Sequence, residues 1–218
     1  MSEKRPLNGF FVCIYYLVNL VAGILHPVTI IGRENLPEHG ALLCPNHNSN
    51  WDPVLVALKV PVNYRLHIMA KKELFCNKVF DWVLRKLGAF PVDRGEGDIE
   101  AVKTALKAIK SGDNLLIFPE GTRNENQELT QLLPFHEGSL KIAQKSGCPV
   151  IPVAITGTAE IFEQHLPFVK PSHVCIRYGT PIYIKELPAE ERKFPGAYTR
   201  DVIAGMLKDM KEGQEQDK

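Results

Sequence analysis

The sequence predicts an α/β fold: a largely parallel sheet covered by helices, preceded by an N-terminal apolar helix that associates with a membrane. Three observations carry that expectation. From residue 28 onward, short β-rich runs alternate with helical patterns. Several of those runs are apolar almost throughout, as strands buried on both faces are. Ahead of them, residues 7–25 (LNGFFVCIYYLVNLVAGIL) contain Asn8 and Asn19 as the only clearly polar side chains.

Taken in order, the N-terminal run is apolar around nearly its whole circumference from Phe10 to Leu25, so it is not a simple surface helix. As a helix it would be about 25 Å long, slightly short of a ~30 Å hydrocarbon core. Lys4 and Arg5 precede it as in a signal peptide, but the apolar run is longer than usual and ILHPVTIIG offers no small-residue cleavage site. An uncleaved anchor is expected over residues 1–27, spanning the bilayer or lying in one leaflet, with a cytoplasmic N-terminus. That places the protein at the cell membrane, on its cytoplasmic face.

A single domain is expected over residues 28–213. VTIIG (28–32) and ALLCP (41–45) read as strands, and PVLVALKV (53–60) as a short helix. LHIMAKKEL (66–74) gives a strand and a turn, KVFDWVLRKLG (78–88) a helix ending at Gly88, and AFPVD (89–93) a strand. Residues 97–112 form an amphipathic helix with Ile99, Val102, Leu106 and Ile109 on one face, Asp98 as cap and Gly112 as stop. NLLIFPEGTR (114–123) is a buried strand running into a turn. GSLKIAQKSG (138–147) is a helix closed by Gly147; PVIPVAI (149–155) and VCIRYG (174–179) are strands. Residues 199–213 form a last helix with Val202, Ile203, Met206, Leu207 and Met210 inward, and residues 214–218 a disordered tail.

The composition is that of an ordinary globular protein, with 44% hydrophobic and 23% charged residues in 218. A net charge of +1 offers no electrostatic case for nucleic acid. Five scattered cysteines without a CxxC pair argue against both a disulfide framework and a zinc site, and read as structural thiols in a reducing compartment. The histidines show no HExxH-like spacing, so no metal is expected. G-x-S-x-G, the P-loop and G-x-G-x-x-G are absent too, which leaves serine-hydrolase, nucleotide phosphoryl and hydride chemistry without support.

Polar clusters follow three of the expected strands, and in parallel α/β folds sites gather at such strand ends. The first is PNHNSNWDP (45–53). Asp52 before Pro53 can be a helix N-cap with proline at the first helical position. His47 and Asp52 can also form a general base pair. Five residues on one helix lie about 140° apart around the axis, so the two could meet only across a turn leading into the helix. The second cluster, FPVDRG (90–95), supplies Asp93 and Arg94; the third, FPEGTR (118–123), supplies Glu120, Gly121, Thr122 and Arg123. Taken alone, each of these two reads rather as a strand-end turn with a local ion pair.

Four blocks in order change that balance. NHNSNWD resembles the H-x4-D motif of the glycerolipid acyltransferases. AKKELFCNKVFDWVLRKLGAFPVDRG (70–95) is similar to that family's second block, FPEGTR to its third and VIPVAI (150–155) to its fourth. Among them the chain looks most like the bacterial lysophosphatidic acid acyltransferases, which also carry a helical apolar N-terminus. The resemblance implies acyl transfer from acyl-CoA or acyl carrier protein, as co-substrate, to the free hydroxyl of lysophosphatidic acid, with no other cofactor. It implies His47 as base, Asp52 as its orienting partner, Arg94 and Arg123 on the acceptor phosphate, and Asp93, Glu120, Gly121 and Thr122 around the acceptor. PFHEG (134–138) departs from the family's usual Phe-Lys-x-Gly, with His136 in place of lysine. Asn124, where serine is common, reads as a minor departure. Rival acceptors are glycerol 3-phosphate, another lysophospholipid or a lyso-aminolipid. A lipid esterase using Ser49 or Ser139 is the rival from another class.

Overall fold

The structure is a computed structural model and describes residues 16, 20, 23–24, 26–61, 64–93, 98–126, 128, 130–161 and 172–216. Most of the expected anchor and Arg94 therefore lie outside the described residues. Within the anchor, Tyr16, Leu20, Gly23 and Ile24 are helical. Among the described residues no helix is long and apolar enough to cross a membrane.

Seven strands form one sheet: β1 (Val28–Ile31), β2 (Leu42–Pro45), β3 (Leu66–Lys71), β4 (Ala89–Val92), β5 (Asn114–Leu116), β6 (Val150–Thr156) and β7 (Val174–Tyr178). Their order across the sheet is β1-β7-β6-β2-β5-β3-β4. Strands β6, β2, β5, β3 and β4 are parallel throughout. β7 is antiparallel to β6, and β1 follows β7, so the expected parallel sheet carries two reversed strands at one side. From residue 28 onward, the α-helices among the described residues are α1 (Asp52–Lys59), α2 (Lys78–Lys86), α3 (Ile99–Lys110), α4 (Glu137–Ser146), α5 (Ala189–Lys193) and α6 (Pro195–Gln216).

Alternation along β2 explains the layers. Leu43 points to the face covered by α1, where it joins Leu55, Val56, Leu116 and Ile151. Leu42 and Cys44 point to the opposite face, among Ala101 and Ala105 of α3 and Leu140 and Ala143 of α4. α6 adds Ile203, Met206, Leu207 and Met210 beside Ala154 and Cys175 on that second face. A central strand with 0% exposure at Leu42, Leu43 and Cys44 is why this run is apolar without alternation. The cysteines described are free thiols; Cys44, Cys148 and Cys175 are buried, whereas Cys76 is exposed.

Several expectations need correction. α3 does bond its N-terminus to Asp98, whose carboxylate accepts from Ala101 N–H at 2.9 Å. Its buried face, however, is Ala101, Ala105, Ala108 and Ile109, while Ile99 is exposed and Val102 and Leu106 are only partly covered. Small side chains let the helix axis approach the sheet closely, and the bulkier residues flank that contact. α6 starts four residues earlier than expected and runs on to Gln216, into the expected tail, with α5 ahead of it. Its first turn is anchored from outside: the Glu137 carboxylate accepts from Gly196 N–H at 3.0 Å and Ala197 N–H at 3.3 Å. At the end of α2, Gly88 sits at φ +84°, and a Cβ there would strike the Leu66 carbonyl, so the chain can enter β4 beside β3 only through glycine.

Candidate active site

The carboxyl ends of β2 and β5 lie side by side, and the loops that follow them build the site. After β2, Asn46 extends the ladder with its side chain: its amide donates to Ile155 O at 3.0 Å and accepts from Ile155 N–H at 2.8 Å. The next residue is His47. Its Nδ1 lies 2.9 Å from Asp52 Oδ2. The same oxygen accepts from the backbone N–H groups of Asn48 at 2.7 Å and Ser49 at 2.8 Å.

This geometry decides between the two readings of the Asp52-Pro53 step. Asp52 is the first residue of α1, the N-cap position belongs to Trp51, and no side chain caps the helix. The carboxylate turns back onto the preceding loop instead of forward onto the helix, so the capping expectation is corrected and the imidazole pairing stands. A carboxylate only accepts hydrogen bonds, so the proton on Nδ1 is fixed and the Nε2 lone pair is left for chemistry. Nε2 makes no hydrogen bond among the described residues. The imidazole retains 14% exposure while Asp52 has none, which leaves the base reachable and its partner dry. The ring packs against Phe118 with centroids 4.3 Å apart.

The loop after β5 clamps His47 from the other side. Glu120 is buried and receives His47 N–H on Oε1 at 2.8 Å and Leu133 N–H on Oε2 at 3.0 Å. Burial pushes its carboxyl above the ordinary glutamate range, against the two backbone donors, which pull it down. Asn124 donates its backbone N–H to His47 O at 2.6 Å and its side-chain amide to Gln131 O at 2.8 Å. Expected to be minor, Asn124 is instead buried and holds the second backbone group of His47. Asn46 is the other residue to which sequence reading gives no role, although it opens the NHNSNWD motif immediately after an apolar strand. Gly121 sits at φ +72° beneath His136, and a Cβ there would come within 2.7 Å of its Nε2.

The expected site residues thus separate. His47, Asp52, Glu120 and Gly121 come together. Thr122 and Arg123 are exposed on the rim of the same turn. Arg123 forms no ion pair with Glu120, whose oxygens are both held by backbone. Asp93 stands at the same sheet edge but just past the end of β4, three strand steps from β2, roughly 14 Å by strand spacing. It is exposed and pairs with Lys72 Nζ at 3.4 Å. No serine hydroxyl reaches the His47 ring among the described residues; Ser49 Oγ instead accepts from Trp51 N–H at 3.3 Å. The end of the N-terminal run also meets the site: His26 is buried, its ring centroid 6.4 Å from that of Trp51, and burial lowers its pKa.

A family profile described as Acyltransferase matches residues 27–156, well over half of the chain, and spans both loops of the site. The chain belongs to this acyltransferase family. A 1-acyl-sn-glycerol-3-phosphate acyltransferase of Bacillus subtilis is 33% identical over 76% of this chain and 80% of its own length. Another of that name, from Streptococcus pneumoniae, is 30% identical over 85% of this chain and 69% of its own. The crystal structure of the 1-acyl-sn-glycerophosphate acyltransferase PlsC from Thermotoga maritima superposes with a TM-score of 0.71 at 25% identity, covering 93% of this chain and 88% of that one. In this acyltransferase the His47–Asp52 pair is the part of the site with acid-base chemistry to offer.

Two variants probe it. Asp52→Asn keeps an oxygen where the three donors converge, but removes the charge that stabilises an imidazolium. It should fold with a melting temperature near that of the parent and lose about 10²–10⁴ in kcat, as His47→Ala should. Turnover close to the parent's in Asp52→Asn would reduce Asp52 to a loop brace.

Glu120→Gln can accept only one of the two backbone N–H groups, so kcat should fall. Because the folded-state pKa of Glu120 is raised, its carboxyl contributes most stability below about pH 4.3 and loses that contribution as pH rises through the raised value. In urea unfolding, the parent's stability relative to Glu120→Gln should therefore decline from about pH 4.3 upward and then level off. A difference independent of pH would show that Glu120 does not titrate with folding.

Proposed function

We propose that this acyltransferase moves a fatty acyl group from a thioester, acyl-CoA or acyl-acyl carrier protein, to the free hydroxyl of lysophosphatidic acid, giving phosphatidic acid. The observation that carries the reading is an imidazole with Nδ1 held on a buried carboxylate and, among the described residues, an open Nε2 with no serine nucleophile beside it. Such a base suits a donor that is already activated. Nε2 takes the proton of the acceptor hydroxyl as its oxygen attacks the thioester carbonyl. The tetrahedral intermediate then collapses, the C–S bond breaks, and the leaving thiolate takes the proton back from the imidazolium. Asp52 stabilises that imidazolium without being protonated. The lack of a serine nucleophile beside His47 among the described residues disfavours the esterase alternative.

Acceptor choice follows the names of the relatives and Arg123, exposed on the rim of the site and without an ion pair among the described residues. With Arg94, which lies outside the described residues, it is the cation assigned to the acceptor phosphate. Residues 1–27 are assigned as the anchor that keeps the site at the cytoplasmic face of the cell membrane, adjoining it through the His26–Trp51 contact.

Purified protein with labelled acyl donors and a panel of lyso-lipid acceptors tests the activity; acylation of non-phosphorylated acceptors in preference to lysophosphatidate would overturn it. A charge-assisted bidentate contact contributes about 1.5–3 kcal/mol, or roughly 10- to 150-fold. Arg123→Ala should raise the acceptor KM by that factor, leave the donor KM nearly unchanged, and cost little stability. A donor-selective defect would move Arg123 to the acyl-carrier side.

Deleting residues 1–25 should shift the protein from the membrane pellet to the supernatant at high salt, where surface electrostatics are screened. Undiminished pelleting there would refute the anchor.

A further inference from the structure

The segment between β3 and β4 carries an apolar surface that neither the core nor the catalytic pair uses. A short 3₁₀ turn (Lys72–Phe75) leaves the carboxyl end of β3, and α2 follows it. The inner side is occupied: Phe75 and Leu84 pack on the core, and Arg85 lies over the Phe75 ring at 5.4 Å. The outer side is not. Leu74 is 53% exposed, Val79 69% and Trp82 60%, with Val79 and Trp82 one turn apart on α2. Ile99, at the start of α3, is 68% exposed. It joins the same edge, because Lys72 pairs with Asp93, whose backbone N–H donates to Asp98, the cap directly before Ile99. Large apolar side chains exposed together, rather than singly, mark a contact surface.

We infer that this ridge is a second membrane contact, one that seats the carboxyl edge of the sheet on an anionic bilayer. It rests on the reading that the acceptor is a membrane lipid. Charge selects the occupant: residues 71–86 hold five bases against two acids, in a chain whose net charge is only +1. Lys72 and Lys78 flank the apolar side chains, and Trp82 has the amphipathic ring that favours the headgroup boundary. Position selects it again. Leu74 and Ile99 follow the carboxyl ends of β3 and β4, the edge of the sheet at which His47 follows β2. A lipid surface against the ridge therefore lies against the edge where the acceptor hydroxyl must arrive.

The full chain is tested on vesicles of equal parts phosphatidylcholine and phosphatidylglycerol. Acyl-chain-brominated lipids should quench parent fluorescence, and Trp82→Phe, which retains Trp51, should lose most of that quenching. A Val79→Glu, Trp82→Glu double variant changes only exposed positions and should keep its melting temperature. Its activity on acceptor presented in the vesicles should fall by about tenfold or more, while its activity on a short-chain, monomeric lysophosphatidate stays at the parent level. Equal quenching in the parent and Trp82→Phe would overturn the inference, as would unchanged activity on the vesicle-borne acceptor. A loss of self-association in the double variant, read by light scattering with quenching unchanged, would assign the ridge to a second copy and overturn it too. Failure of the parent to acylate any lysophosphatidate would remove the acceptor assignment, yet leave the quenching result to stand or fall separately.

Discussion

One carboxylate oxygen organises the site. Oδ2 of Asp52 accepts from the His47 imidazole and from two successive backbone N–H groups, with the side chain wholly buried. Burying a carboxylate costs several kcal/mol after relaxation, and three donors on one oxygen, at the positive end of α1, offset that cost. The consequence is structural as well as chemical. The loop from Asn48 to Ser49 closes around this oxygen, and closing it sets the distance between His47 and the helix. Neither the turn nor the tautomer is independent of Asp52.

The second constraint is the adjacency of β2 and β5. His47 has both backbone groups tied to the loop after β5: its N–H to Glu120 and its carbonyl to Asn124. Asn46 ties the preceding residue to β6 through two bonds that imitate a strand rung. The imidazole is therefore held by Asp52 at one ring nitrogen, by Phe118 on its face, and by two neighbouring strands through its backbone. Geometry held to that degree is what general-base catalysis needs, because misplacement of about 1 Å can cost 10²-fold. Glu120, buried, serves this purpose by holding backbone N–H groups, which explains why an acid stands near an arginine in FPEGTR without pairing to it.

Both features proposed to meet lipid adjoin this same edge. The N-terminal run ends against Trp51, inside the His47 loop, through His26. The apolar ridge begins where β3 ends and continues to the start of α3. Parallel strands place their carboxyl ends at one edge, and β1, which runs the other way, starts there, so the site, the proposed ridge and His26 share one border although they are far apart in the chain. The carboxyl ends of the two reversed strands, β1 and β7, lie at the opposite edge.

The sequence by itself determined the alternation of elements, the buried character of β2 and β6, the positions of α3 and α4, and the His47–Asp52 pairing as a candidate. Each of these is written locally: apolar runs, a 3.6-residue period, Asp98 and Gly147 at helix ends, and a motif with its neighbours in order. Tertiary structure decided what local patterns leave degenerate. Whether Asp52 faces the helix or the loop depends on donors that only the folded turn presents. That α3 buries its alanines rather than Ile99 depends on how closely the sheet lets the helix approach. Glu120 and Asn124 acquire their role because β2 and β5, some seventy residues apart in the chain, are neighbours in the sheet. A backbone N–H or carbonyl belongs to every residue alike, so no side-chain pattern in the sequence can announce which one a distant carboxylate or amide will hold.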